Sequence, residues 1–390
     1  MASKSRARPT APDFKPIPRV AVLMETTRSF GRDVIRGIAK YAKAHGPWNM
    51  QLHLGDLGQN IILQRGWPLD AVIGRIDDPA TLKMIKKRRM AAVCLVDNAL
   101  LPPPIITNCT EICQLAFEHL RSIGHRRFAY YDQYTSWGIE RGRAFGSIAA
   151  HAGFEWRPCP GFGRRLATRS ELIRWLIALP KPIGLFTGDD LAGREIIDVC
   201  GYADVAVPEQ IAVVGVDNDE LICGICYPSL SSVKLDAQRI GYEGAATLDQ
   251  LLSGGQAPSA PAVIAPLGVQ VRQSSDAIVI DDPVVAQASR FIREYAVEGI
   301  QIQDVLEITK TSRRSLELRF RKATGHSPHD DILKTQLNRA CELLAATDMK
   351  LNAIAAKAGF SSPEYFHRAF RRAFALTPKT FRMDSRRTGT

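Results

Sequence analysis

Short apolar runs alternate with segments of helical period over the first two-thirds of the chain. Residues 19–24, 71–74, 92–96, 127–131, 183–186 and 211–216 are each four to six residues long and rich in Val, Ile and aromatic side chains. That composition marks buried strands. Between and after them, residues 31–45, 80–88, 110–123, 140–151, 191–200 and 236–252 repeat apolar positions at three- and four-residue intervals. Glycines close several of these helical segments: Gly124, Gly153, Gly201 and the pair Gly254-Gly255. Strands that are apolar throughout, separated by helices, imply parallel sheets covered on both faces. The alternation occupies about 260 residues, large for one doubly wound sheet and natural for two lobes. Ligands of such sheets lie beyond the carboxyl ends of the strands. The polar residues there are Thr27-Arg28-Ser29-Phe30, the segment 132–137, Gly188-Asp189-Asp190 and Asp217-Asn218.

Strand signals vanish at Asp282-Pro283. An amphipathic helix is expected over 284–297 and a long one over 330–346. Around the long helix one pattern occurs twice, over about 300–324 and 351–374. Each copy has a short apolar helix, a tight turn and a polar cap. A second helix follows, its apolar residues four apart: Leu316 and Phe320, then Phe366 and Phe370. This spacing buries one stripe and frees a basic face for a DNA groove. The candidate DNA contacts are Arg313, Arg314, Glu317 and Arg321 in the first copy. In the second they are Pro363, Glu364, His367, Arg368, Arg371 and Arg372. Glu317 suits a cytosine amino group, whereas its neighbour Leu318 offers only apolar contact. Arg368 is placed to read a base, and Arg371-Arg372 to meet phosphates.

Charge follows the same division. The chain has 51 Lys/Arg and 40 Asp/Glu, a net of +11. Residues 281–390 carry 19 basic and 13 acidic side chains, and residues 1–19 carry 5 and 1. The long middle is therefore nearly neutral, and positive charge concentrates on the candidate reader and a tail. Residues 1–16 are expected to be a disordered basic tail, 17–276 the two-lobed domain and 277–390 the DNA-binding domain. The tail lacks an apolar signal core, and no run of about eighteen apolar residues occurs. The expected location is cytoplasmic, away from any membrane. The eight cysteines are scattered, which argues against a disulfide framework. Cys223-Gly-Ile-Cys226 stands alone, without a second pair at zinc spacing, and reads as ordinary packed thiols. No metal or cofactor is expected.

The second copy carries Ile354, Gly359-Phe360, Tyr365-Phe366, Arg368, Phe370-Arg371, Thr377-Pro378 and Phe381-Arg382. The first has Ser312-Arg313-Arg314, Leu316, Arg319-Phe320, Gly325 and Ser327-Pro328. On these residues the last hundred positions resemble the AraC family DNA-binding domain. Farther upstream stand Phe117, Leu120 and Gly124-His125-Arg126-Arg127, then Arg141, Ala144-Phe145, Pro208, residues 211–218 and residues 228–233. These resemble the periplasmic-binding-protein-like sensor of LacI/GalR repressors. The resemblance implies an α/β two-lobed sensor with parallel sheets, followed by an all-α domain with two helix-turn-helix units. It further implies a transcription regulator, an activator and homodimer that binds double-stranded operator DNA and RNA polymerase. The effector implied is a small sugar, D-xylose or another monosaccharide.

In that resemblance Arg141 and Asp217 hold ligand hydroxyls and Asp189 supplies the preceding polar contact. Asn108 stands beside Thr107, where such sensors carry an acid. Ser29, Phe30 and Trp137 are candidates for the ligand wall. From the residues alone, Asp189 and Asp190 are open to three roles: sugar contact, helix cap or catalytic acid. Trp137 and Phe30 are open to wall or core. A sugar-processing enzyme fused to a DNA-binding module is the competing function. It would require a phosphate loop or a nucleophilic triad, and the sequence shows neither. A solute-binding transport component conflicts with the DNA-binding domain.

Overall fold

The computed structural model describes residues 16–53, 68–76, 78–95, 105–256, 258, 260–276, 279–280 and 282–387. Residues 1–15 of the expected tail, Val96 and Asp281 lie outside them. The chain divides into two compact units, Met1–Ala277 and Ile278–Thr390.

The first unit has two lobes. Lobe 1 begins β1 (Arg19–Leu23), α1 (Ser29–His45), β2 (Asn49–His53), β3 (Ala71–Gly74), α2 (Pro79–Arg88), β4 (Ala91–Cys94). Its sheet has the order β2-β1-β3-β4 and is parallel throughout. Strand alternation sends Val20 and Val22 to one face and Ala21 and Leu23 to the other, each into its own core. After β5 (Ile105–Thr107) the chain crosses to lobe 2, built from α3 (Cys109–Ser122), β6 (Arg127–Tyr131), α4 (Ser136–His151), β7 (Glu155–Pro158), α5 (Arg169–Ala178), β8 (Ile183–Thr187), α6 (Asp190–Tyr202), β9 (Ile211–Val216), α7 (Glu220–Ile225) and β10 (Ser231–Lys234). Then α8 (Ala237–Leu252) returns to lobe 1 and packs on α1. Gly37 and Gly241 permit this, since a Cβ on either would meet the other helix's backbone. β11 (Ala262–Ile264) pairs with β5, and β12 (Gly268–Gln270) adds an antiparallel edge to the sheet β12-β10-β9-β8-β6-β7.

Three kinds of departure from the expected elements have physical causes. The edge strands β2 and β7 are largely exposed and mix polar with apolar residues, so they lack the run that marks a buried strand. β5, β11 and β12 are three residues each and are held by pairing rather than by pattern. α4 starts at Ser136, not near 140, because the Thr135 side chain caps it by accepting from Gly138 N. That places Trp137 on the helix.

The second unit is all α: α9 (Pro283–Tyr295), α10 (Ile302–Thr309), α11 (Arg313–Thr324), α12 (Pro328–Ala346), α13 (Leu351–Lys357), α14 (Pro363–Phe374) and α15 (Pro378–Arg387). The helix expected over 284–297 ends at Tyr295, where a 3-10 turn over Ala296–Glu298 takes over. α12 runs through two cores. Its Ile332 belongs with Val285, Leu316 and Phe320, and its Leu337, Ala340 and Leu344 belong with Ile354, Phe366 and Phe370. Between them the buried Gln336 side chain donates to Ala296 O at 3.0 Å and to Gly359 O at 2.8 Å.

Candidate ligand cavity and nucleic-acid interface

In the first unit, the carboxyl ends of β1, β8 and β9 face a cavity of about 350 Å³. It is lined by Thr27 and Arg28 from lobe 1 and by Asp190, Leu191, Asp217, Asp219 and Ile222 from lobe 2. Arg28 reaches across to Asp189, with Nη1 2.6 Å from Oδ2. The other Asp189 oxygen accepts from Ala192 N at 2.9 Å. Asp189 therefore combines an ion pair with Arg28 and the cap of α6. The Asp190 carboxylate is buried. It accepts from Ser232 Oγ at 2.6 Å and from Asp219 N at 2.7 Å, and desolvation pushes its pKa well up. Asp190 thus braces the loop after β9.

Asp219 binds both lobes. One oxygen caps α7 by accepting from Leu221 N and Ile222 N. The other accepts from Ser29 N, at the start of α1, at 2.8 Å, and from Arg32 at 3.4 Å. A carboxylate at a helix start also complements the helix dipole. Glu25 faces Arg75 at 3.4 Å, and the Arg75 guanidinium lies 5.2 Å from the centre of the Trp137 ring.

Asp217 differs from these acids. It sits at φ 105°, a left-handed conformation in which a non-glycine residue is strained. Burial, mainly, pushes its carboxyl up to about 7, although Arg141 and Arg28 oppose the shift. Among the described residues no hydrogen bond reaches its carboxylate. The Ser29 hydroxyl is likewise buried without a partner. Arg141 is buried and donates to Gly188 O at 2.5 Å, holding the turn that carries Asp189.

Of the sequence candidates, Asp217 lines the cavity, whereas Ser29, Phe30, Asn108, Trp137, Arg141 and Asp189 are not among its described lining residues. Asn108 caps α3: its oxygen accepts from Glu111 N and its amide donates to Glu111 Oε2, both at 3.1 Å. It does not line the cavity. Phe30 is half-buried and packs against the cores of both lobes. Sequence reasoning did not single out Arg28, Arg75, Glu25 or Asp219 as ligand contacts. Cys223 is buried beside Asp190, and Cys226 donates to Ile222 O at 3.1 Å. Burial raises both thiols, as expected of packing residues. Among the described residues no His, Cys, Asp and Glu cluster could hold a metal ion, and no helix is long and apolar enough to cross a membrane.

In the second unit, α10–α11 and α13–α14 form the two helix-turn-helix elements. Ser312 and Ser362 cap the second helix of each, accepting from Ser315 N at 3.3 Å and Tyr365 N at 3.1 Å. Leu316, Phe320, Phe366 and Phe370 are fully buried. Arg313, Arg314 and Arg321 are exposed on α11, and Glu317 pairs with Arg313 at 3.1 Å. Arg319 is held by Asp282 through two 2.7 Å bonds. On α14, Glu364, Arg368, Arg371 and Arg372 are exposed, while Pro363 and His367 are half-buried. Among the described residues no carboxylate forms an ion pair with Arg314, Arg321, Arg368, Arg371 or Arg372.

A two-lobed unit with a cavity at its strand ends, in one chain with two helix-turn-helix elements, defines a ligand-responsive DNA-binding transcription regulator. Residues 117–275 match the periplasmic binding protein-like domain family, and residues 305–384 match a helix-turn-helix domain family. The chain is 30% identical over 387 residues to the xylose operon regulatory protein of Haemophilus influenzae, covering 94% of this chain and 98% of the relative. The Escherichia coli K12 protein of the same name is 30% identical over 381 residues, covering 93% and 96%. Among solved structures, a xylose-binding transcription activator, xylR, matches with 28% identity and a TM-score of 0.78, over 95% of this chain and 98% of that one. The chain belongs to the xylose operon regulatory protein family and is a DNA-binding regulator, not an enzyme.

Proposed function

We propose that the regulator is an activator switched by a monosaccharide, D-xylose first, bound in the cavity between the lobes. The observation that carries this reading is the Asp217 carboxylate. It lines a cavity, and among the described residues no donor answers it, so it is an acceptor suited to hydroxyls. The unpartnered Ser29 hydroxyl adds a contact from the other lobe. Arg28, Arg141 and Asp189 supply the charge-assisted partners that vicinal hydroxyls take, and Trp137 supplies an aromatic surface. The cavity lies at the small end of the range for ligand sites, and a pentose lacks the exocyclic hydroxymethyl that such a site rejects. Both lobes contribute, so a ligand that fits between them favours their closed arrangement.

Residues 17–276 form the sensor and 277–390 the reader, acting as a homodimer in the cytoplasm with RNA polymerase as partner. In the reader, Arg313, Arg314, Arg321, Arg371 and Arg372 meet phosphates. Glu317, Pro363, Glu364, His367 and Arg368 face base edges.

Calorimetric titration with xylose, arabinose, ribose, glucose and galactose tests the effector. Heat with xylose and none with the hexoses is expected, and the reverse overturns the pentose reading. Binding is also pH-dependent. A hydroxyl donating to Asp217 favours the ionised carboxylate, so its pKa falls from about 7 in the free protein. Sugar binding then releases a proton and tightens as pH rises from 6 to 8. Asp217→Asn should flatten that profile, and Arg141→Ala or Asp217→Ala should abolish the sugar-induced thermal shift while DNA binding survives. Unchanged sugar affinity in both alanine variants removes the two residues from the site.

A further inference from the structure

We propose that Leu318 is a sequence-reading residue and that the first helix-turn-helix recognises the C5-methyl group of a thymine. The inference rests on the DNA-reading role proposed above and adds to it the chemistry read by one helix. Counted from their serine caps, Ser312 and Ser362, α11 and α14 carry Leu318 and Arg368 at the same position. The buried pairs Leu316 and Phe320, and Phe366 and Phe370, also coincide, so the two helices present the same face. Leu318 is therefore where α14 shows Arg368. Leu318 is 72% exposed, and no core cluster among the described residues contains it.

A leucine left in water on a helix facing solvent needs no explanation by itself. Its surroundings give it one. Arg314 and Lys322 stand four residues to either side of Leu318, with Arg321 beside Lys322, and all three are exposed. Glu317 is engaged by Arg313, and Arg319 by Asp282. Thus, among the described residues, the exposed side chain at the centre of the stripe is apolar, and its rim is cationic. Cations at the rim suit phosphates on both sides of a groove. At the groove floor the apolar group a base edge offers is the thymine methyl. Arginine at the matching place in α14 suits guanine instead, so one chain would read its two half-sites by different chemistry.

The test begins with the full chain and selection of its preferred sequence from random duplexes. If no sequence is preferred, the DNA-reading role itself fails. With the preferred duplex in hand, each thymine is replaced in turn by deoxyuridine, which deletes only the methyl group. One or two positions should weaken binding by roughly three- to fivefold, the size expected for one buried methyl. That loss should vanish in Leu318→Ala, persist in the apolar Leu318→Met, and be unaffected by Arg368→Ala. A preferred sequence in which no thymine's methyl effect depends on residue 318 overturns the inference and leaves the DNA-reading role standing. Leu318 is on the surface, so circular dichroism of both variants should match the parent chain.

Discussion

At an offset of fifty residues, α11 and α14 place the same kinds of side chain at the same structural positions. Serine caps both, aromatic or aliphatic pairs four apart sink into both cores, and arginines follow on the outer face. The differences lie on the exposed side and in the support. Arg319 ties α11 to Asp282 at the start of α9, whereas the matching Ala369 is simply buried. The second core gains Phe381 of α15, whose ring lies 5.5 Å from Phe370. Burial fixes the pose of a recognition helix while leaving its outer positions free to differ. Two readers can then share one skeleton and present Leu318 in one and Arg368 in the other.

The equivalence can be broken at its core first. Phe320→Ala and Phe370→Ala should each cost about 3–5 kcal/mol, the range for removing a fully buried aromatic ring. Denaturant unfolding of the Ile278–Thr390 transition measures both, and a cost under about 1 kcal/mol at either position would show that the helices are not held alike. The outer face should separate the two more finely. Arg368→Ala is expected to lose about 1–3 kcal/mol of specific binding while affinity for random DNA changes little. Equal losses on both kinds of DNA make Arg368 a phosphate contact. The caps should give the smallest effect, with Ser312→Ala and Ser362→Ala each costing about 1 kcal/mol. A clear inequality between them locates a difference in how the two helices begin.

The strands buried on both faces, such as β8, β9 and β1 after its first residue Arg19, were legible because the residues in them are apolar or small. The edge strands and three-residue strands were not, because pairing with a neighbour, rather than composition, defines them. α5 carried a readable start, Thr168 with Glu171 three residues on, a reciprocal capping pair. The cavity shows the same split. Asp217, which lines it, could be found by looking just past a predicted strand. Arg28 and Asp219 act through partners 161 and 190 residues away, Asp189 and Ser29, and no local spacing reports such a pair. Asn108 followed the spacing of a helix cap, Asn then Glu three residues later, and that is the role its side chain performs.

Gln336 works as a phase lock. Its two donors join the turn after α9 to the turn between α13 and α14, and a Cβ on Gly359 would collide with the same Ala296 carbonyl. The recognition helices on either side of α12 are thereby geared together. A duplex turns by about 34° with every base pair, so if both helices read DNA, readers locked in phase should accept a single spacing between half-sites. An inserted pair rotates one half-site away from its helix even though every base is still present.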